Sequence, residues 1–207
     1  MSRITEPATL ITDWLLGILG FACAYGLYNV FTKTNSFALL VWVAMFCAVS
    51  ISACIGGIYH GFHTHMHVRT SARLWKITVY IAVLGNALLA GASALSFLSG
   101  TLFFVFLAGV FLKFIYVSVV LSRTDSFHIV IYDALVSMGI MLALYSIYAS
   151  SAVFVLMVLS IGISLLAGVV QFFLLSLSRH FNHNDMFHVI QMVAWVFMYK
   201  ALLEQFI

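Results

Sequence analysis

Charged residues are scarce in this sequence, and proline is almost absent. Only 7% of the 207 residues are Asp, Glu, Lys or Arg, whereas 64% are hydrophobic. The single proline, Pro7, precedes every long apolar run. A water-soluble domain of this length needs far more polar surface than this chain contains. The composition therefore predicts an integral membrane protein.

Paired cysteines and clusters of basic residues are missing as well. Cys23, Cys47 and Cys54 lie inside apolar runs without a Cys-x-x-Cys pair, so we expect neither a disulfide nor a zinc–thiolate site. The net charge of +3 is spread over short segments, which gives a nucleic-acid partner no support. The first twelve residues lack a small-residue cleavage site, so we expect a retained tail and not a signal peptide.

Seven apolar runs are each long enough to cross a bilayer, which takes about 20 helical residues. They cover residues 13–31, 38–60, 74–97, 101–121, 127–149, 152–177 and 185–204 approximately. The connections are short and rich in Gly, Ser, Asn and Thr, so consecutive helices should be antiparallel neighbours. The sequence thus predicts an all-α membrane protein in which residues 1–207 form one seven-transmembrane-helix bundle. No repeat or pair of broken helices indicates a secondary transporter.

Basic residues are distributed unevenly between the two ends of such a bundle. Six lie in the N-terminal segment or after the second, fourth and sixth runs: Arg3, Arg69, Arg73, Lys76, Arg123 and Arg179. Only Lys33 and Lys200 lie at the other end, with Lys113 inside the fourth run. The positive-inside rule then predicts a cytoplasmic N-terminus and an external C-terminus. The compact loops favour a bacterial inner membrane.

Polar residues inside the runs concentrate in the half nearest the predicted cytoplasmic face. They include Asp13, His60, Lys113, His128, Asp133, Gln171, His188 and Gln191. Lipid offers no hydrogen-bond partners, so these side chains should contact one another. Lys113 and Asp133 lie at similar depth on adjacent runs and should form an ion pair. Asp13 follows Thr12 at the start of the first run and is either a helix N-cap or part of an active site.

His60 and His188 stand out because they lie at matching depth, at the inner ends of the second and seventh runs. Asn184 and Asp185 precede His188 by four and three residues and share its helix face. Two imidazoles and a carboxylate can bind zinc with a position left for water, which the metal would convert into a nucleophile near neutral pH. Two alternatives stay open: hydrogen-bonded packing histidines, and axial ligands of a haem.

This pattern resembles the CREST superfamily of seven-helix membrane hydrolases, which includes alkaline ceramidases and the adiponectin and progestin receptors. Tyr59-His60 matches the zinc-binding histidine of that family's second helix, and Phe187-His188 matches the second histidine of its HxxxH pair in helix seven. The stretch from Thr12 to Trp14 is similar to the start of alkaline ceramidases. The predicted topology is similar to that of the receptor branch.

Three positions depart from the family pattern. Asn184 stands where the first histidine of HxxxH belongs, Gly56 replaces an assisting serine, and Lys76 occurs where helix three should offer an acid. Either Asp185 or His183 completes the zinc site through a small change in the helix start, or this branch keeps the scaffold without zinc hydrolysis.

The resemblance implies a zinc-dependent hydrolase acting on an amide or ester of a membrane lipid at the cytoplasmic leaflet. In this hypothesis His60 and His188 ligate zinc, with Asp185 as the third ligand. Candidate proton carriers or orienting groups are Asp13, His128 and Asp133. The main alternative is a non-enzymatic membrane protein that binds a lipid or another ligand on the same scaffold. A haem-binding membrane protein is the other alternative.

Overall fold

The computed structural model describes residues 4–207 of the protein, and within them the chain is almost entirely helical. The α-helices are α1 (Pro7–Thr34), α2 (Phe37–Phe62), α3 (Val68–Phe97), α4 (Gly100–Ser122), α5 (His128–Tyr148), α6 (Ser151–Phe172) and α7 (His183–Phe206). All seven are long and apolar enough to cross a membrane. The predicted all-α, seven-helix architecture is confirmed. Arg3, counted above in the charge asymmetry, lies outside the described residues.

The first helix begins earlier than the apolar pattern predicts. Pro7 occupies its first turn, where the missing N–H of proline has no consequence and its fixed φ suits a helix. Asp13 therefore lies in the interior of α1, and its side chain is buried. The interpretation of Asp13 as an N-cap is wrong, because the helix already extends a full turn before it.

Two other helix ends differ from the predicted bounds for local reasons. Helix α3 begins at Val68 because His67 caps it, with Nδ1 accepting from the backbone N–H of Arg69 at 3.2 Å. Helix α6 ends at Phe172 because Leu174 has a φ of 55°, a left-handed conformation that breaks a helix and is uncommon outside glycine. Apolar composition alone does not reveal either event.

Six helices form a closed ring, in the order α1, α2, α3, α5, α6, α7 and back to α1. Helix α4 lies outside this six-helix ring, packed mainly against α3 and barely touching α5. The expectation that all consecutive helices are neighbours is therefore wrong for α4 and α5. Only three residues of α4 are buried, so most of its circumference faces outward, as an apolar helix in lipid can.

Glycines bring α1 close to its neighbours in the ring. A Cβ atom at Gly20 would lie 2.1 Å from Ser50 Oγ on α2 and 2.7 Å from the ring of Trp195 on α7. At Gly17 it would lie 2.5 Å from Cys54 Sγ. A Cβ atom at either position would force its neighbours to shift, so glycine permits the close approach where the three helices meet.

A buried ion pair attaches α4 to the ring. Lys113 Nζ donates to Asp133 Oδ1 of α5 and, at 3.0 Å, to Ser137 Oγ. Asn86 Nδ2 of α3 donates to Asp133 Oδ2 at 2.9 Å. The carboxylate side chain is 0% exposed and the lysine side chain 16% exposed. The predicted pairing of Lys113 with Asp133 is confirmed, and it links three helices.

Replacing Lys113 with methionine should destabilise the bundle strongly, because Asp133 would keep its charge in a buried site with only neutral partners. Loss of one member of a buried pair costs about 3–5 kcal/mol. The double variant Lys113→Met/Asp133→Asn should recover part of this loss. The measurement is the thermal unfolding midpoint in one detergent, with the exposed Lys200→Met as control. A single variant as stable as the wild type would contradict the assigned role.

Candidate functional site

The start of α7 is fixed by a capping box. Asn182 Oδ1 accepts from the backbone N–H groups of Asn184 at 2.8 Å and Asp185 at 3.4 Å. In return, Asp185 Oδ2 accepts from the N–H of Asn182 at 2.7 Å. This reciprocal arrangement satisfies helix N–H groups that otherwise lack partners. It also holds the next turn of α7, which carries His188, in a defined orientation.

His188 connects α7 to α1 through both of its ring nitrogens. Nε2 lies 3.0 Å from Asp13 Oδ1, and Nδ1 lies 3.0 Å from Thr12 Oγ1. Both Asp13 and His188 are buried. A neutral imidazole with its proton on Nε2 donates to Asp13 and accepts from the Thr12 hydroxyl. Asp13, a predicted site residue, is thus the direct partner of His188.

Asp185 has a structural role in this arrangement. It is 1% exposed, and its second oxygen, Oδ1, lies 3.4 Å from Thr12 Oγ1. Oδ2 therefore holds the start of α7, whereas Oδ1 competes with His188 Nδ1 for the single hydroxyl proton of Thr12. His183, the other candidate for a third zinc ligand, lies at the first position of α7, where its backbone N–H donates to Ser176 Oγ at 3.1 Å.

His60 pairs with an acidic residue that the sequence analysis did not single out. Its Nδ1 lies 3.2 Å from Glu6 Oε2, which also accepts from Thr9 Oγ1 at 3.3 Å. The backbone N–H of Thr5 donates to the carbonyl of Gly61 at 2.9 Å. Together these contacts attach the segment before α1 to the end of α2. In the sequence, Glu6 could have been noticed because it lies immediately before Pro7, at a helix start.

Asp13, His60 and His188 line one cavity inside the six-helix ring, with a volume of about 240 Å³. We call the end of the cavity that holds these three residues its polar end. Thr78, Gln171 and Asn184 also line the cavity. The remaining wall is mainly apolar and includes Leu16, Met45, Val49, Leu89 and Met198. The cavity therefore combines a small group of polar side chains with a hydrocarbon-like interior.

The cavity wall is thin between α5 and α6. Leu135 of α5 and Leu165 of α6 both line the cavity. The same two residues are 40% and 39% exposed. Because they line the cavity and are still this exposed, the cavity is poorly covered at this place.

The other predicted site residues do not reach this cavity. Asp133 is engaged with Lys113, and His128 is an exposed residue at the first position of α5, with Nδ1 3.2 Å from Ser126 Oγ. Asp185 and His183 are also absent from the wall that the described residues form. The structure thus brings Asp13, His60 and His188 to one cavity and leaves the other four candidates outside it.

The predicted zinc ligands are not grouped around one point in this structure. Within residues 4–207, no three His, Cys, Asp or Glu side chains are grouped so that they could hold a metal. Both nitrogens of His188 and Oδ2 of Asp185 already have partners. Nδ1 of His60 faces Glu6 instead of His188. These side chains form hydrogen-bonded pairs between helices, and zinc stays a prediction from the resemblance.

Comparison with known proteins assigns this chain to a family. A family model matches residues 8–205, nearly the whole sequence. The chain belongs to the family of unknown function DUF6962. No curated protein and no solved structure matches it. Since the function of DUF6962 is unknown, membership supports neither the CREST resemblance nor any other activity, and the cavity of this DUF6962 protein must be interpreted from its own residues.

Replacing Glu6 with glutamine should reveal a pH-dependent contribution to stability. The hydrogen bond from His60 holds the pKa of the Glu6 carboxyl below its ordinary value of 4.5. A carboxyl with a lowered folded-state pKa stabilises the fold above the unfolded-state pKa, and this contribution is lost as the pH falls through the folded-state pKa. We expect Glu6→Gln to unfold at lower temperature than the wild type at neutral pH, with the difference disappearing below pH 4.5.

The check is a series of thermal unfolding midpoints for both proteins across that pH range. Glu204→Gln is the matched control, since Glu204 is exposed near the end of α7. A Glu6→Gln effect of equal size at all pH values would show that the carboxyl charge has no part in it.

Proposed function

We propose that this protein resides in a membrane and binds a single-chain amphiphilic lipid in the cavity of its six-helix ring. One observation carries this proposal. Asp13 Oδ2 is buried at the polar end of the cavity without a hydrogen-bond partner among residues 4–207. Buried polar atoms without partners are rare and need an explanation. A ligand head group that contacts this oxygen supplies one, and the apolar wall suits a hydrocarbon chain.

The size of the cavity favours one chain over two. Its volume of about 240 Å³ lies below the roughly 300 Å³ at which typical small-molecule pockets begin. A diacyl phospholipid is much larger than this space. A single alkyl chain with a small head group fits the available volume better, with part of the chain extending past the thin wall.

The position of the thin wall supports access from the bilayer. In a membrane, lipid chains could reach Leu135 and Leu165, since both are exposed. Movement of these two side chains would join the cavity to the hydrocarbon region without exposing the ligand to water. With the predicted cytoplasmic N-terminus, the polar end would lie in the cytoplasmic leaflet. A bacterial inner membrane stays a prediction.

Zinc-dependent hydrolysis of a membrane lipid, with the zinc held by His60 and His188, is the competing proposal. The observation in its favour is that both histidines and Asp13 line the same cavity. Elemental analysis and an absorption spectrum of the purified protein, beside His60→Ala and His188→Ala, separate the functions. Near-stoichiometric zinc that is lost in both variants would overturn the binding proposal in favour of hydrolysis. A Soret band lost in both variants would favour a haem protein.

Filling the cavity should remove the bound lipid. A Cβ atom at Gly168 meets nothing within 4 Å, and Gly168 lines the cavity from α6. Gly168→Leu therefore places a side chain in the cavity without a clash in the backbone. We expect it to reduce co-purified or added single-chain lipid by about tenfold or more, since two well-packed groups cannot share one space. Native mass spectrometry gives the bound fraction.

The matched control is Gly162→Leu on the same helix. Its Cβ also meets nothing within 4 Å, but Gly162 is exposed and does not line the cavity. Both variants change helix propensity equally, so a difference between them reports on the cavity. Equal lipid binding by both variants and by the wild type would refute the proposal that the lipid binds in the cavity.

A further inference from the structure

Two hydrogen-bond acceptors in the cavity lack partners in the part of the chain that the structure describes. They are Asp13 Oδ2 on α1 and Gln171 Oε1 on α6, and both residues line the cavity. The amide nitrogen of Gln171 is engaged, since it donates to Asn184 Oδ1 at 2.9 Å. In its ionised form Asp13 can only accept hydrogen bonds, as the amide oxygen of Gln171 does. A head group that satisfies both acceptors in that form must donate.

The charges around Asp13 favour a cation. The cavity wall formed by residues 4–207 contains neither lysine nor arginine. His188 can satisfy Oδ1 as a neutral donor while it accepts from Thr12. The carboxylates of Asp185 and Glu6 lie at the same end of the bundle. A buried carboxylate without a positive partner is costly and otherwise takes up a proton, whereas an ammonium group would keep it ionised by supplying the opposite charge.

There is also space beside the carboxylate. Gly56 of α2 faces Asp13, and a Cβ atom there would lie 3.6 Å from Oδ2 and 3.7 Å from Oδ1. These are ordinary contact distances, so the hydrogen of glycine leaves room for roughly one more heavy atom in this place. An amine nitrogen with its three donors is compact enough to use such a space.

From the unpartnered acceptors, the absence of basic side chains in the described wall and the space at Gly56, we propose that the ligand is a long-chain primary amine. Its protonated nitrogen contacts Asp13 Oδ2, and its alkyl chain lies along the apolar wall. This inference rests on the proposed function and adds the chemical class of the head group. It excludes fatty acids and lipid phosphates as preferred ligands, because their anionic heads would face Asp13.

The experiment compares three probes of equal chain length on the full-length protein in lipid nanodiscs: dodecylamine, dodecanol and dodecanoic acid. Binding is measured by competition with a fluorescent single-chain lipid. We expect dodecylamine to bind at least about tenfold more tightly than dodecanol, since hydrogen bonds to charged groups are the stronger ones. Dodecanoic acid should bind most weakly.

The variant Asp13→Asn should abolish the difference between amine and alcohol, because it removes the charge with little change in shape. Asp125→Asn is the control at the same end of the bundle, since Asp125 is 77% exposed and paired with Lys76. Gly56→Ala is the second variant and keeps the charge of Asp13 while filling the space beside it. It should lower the affinity for dodecylamine several-fold and remain folded if Asp13→Asn does not.

The outcomes separate this inference from the function on which it rests. Tight binding of dodecanol or dodecanoic acid, equal to or above that of dodecylamine, would overturn the amine assignment and leave lipid binding in place. Failure of all three probes to compete, in a protein that unfolds cooperatively, would overturn both. Selective binding of the amine that survives in Asp13→Asn and in Gly56→Ala would show that another group recognises it, which also overturns the inference.

Discussion

The contact between Asp13 and His188 is the interaction on which the rest of the structure depends. It joins the first helix to the last, and so closes the six-helix ring around the cavity. Both side chains come from helix interiors and are buried, where neither could be tolerated without a polar partner. Because the pair uses only one carboxylate oxygen of Asp13, it also leaves Oδ2 buried without a hydrogen-bond partner among residues 4–207.

Several other contacts hold this pair in place. The capping box at Asn182 and Asp185 sets the direction of α7, and Thr12 joins the same network from α1. On the other side of α1, Glu6 meets His60 at the end of α2. A chain of paired groups thus runs through three helices at this end of the bundle. Such a network can hold the helices in a defined arrangement because most of its members have partners.

The architecture and one buried ion pair could be predicted from the sequence. Other features could not, for separate physical reasons. Seven apolar runs can satisfy their backbone in a membrane only as helices, so the fold class follows from composition. Lys113 and Asp133 are opposite charges at equal depth, which leaves few alternatives. Glu6 was missed because it precedes the apolar pattern, and the position of α4 outside the ring was missed because neighbourhood in sequence does not determine helix packing.

The three departures from the CREST pattern have separate structural consequences, and these bear on what the cavity can do. Asn184 accepts a hydrogen bond from Gln171 and so ties α7 to α6, whereas a histidine there would offer a different shape and charge. The Lys76 ammonium pairs with Asp125 and donates to a backbone carbonyl next to the end of α4. Gly56 leaves space beside Asp13.

Side chains that pair with one another, around the two unpartnered acceptors Asp13 Oδ2 and Gln171 Oε1, are suited to recognising a ligand that donates hydrogen bonds. A binding site also requires no third metal ligand at Asp185, whose Oδ2 accepts from the backbone at the start of α7. These contacts support our proposal that the polar end recognises a donor head group.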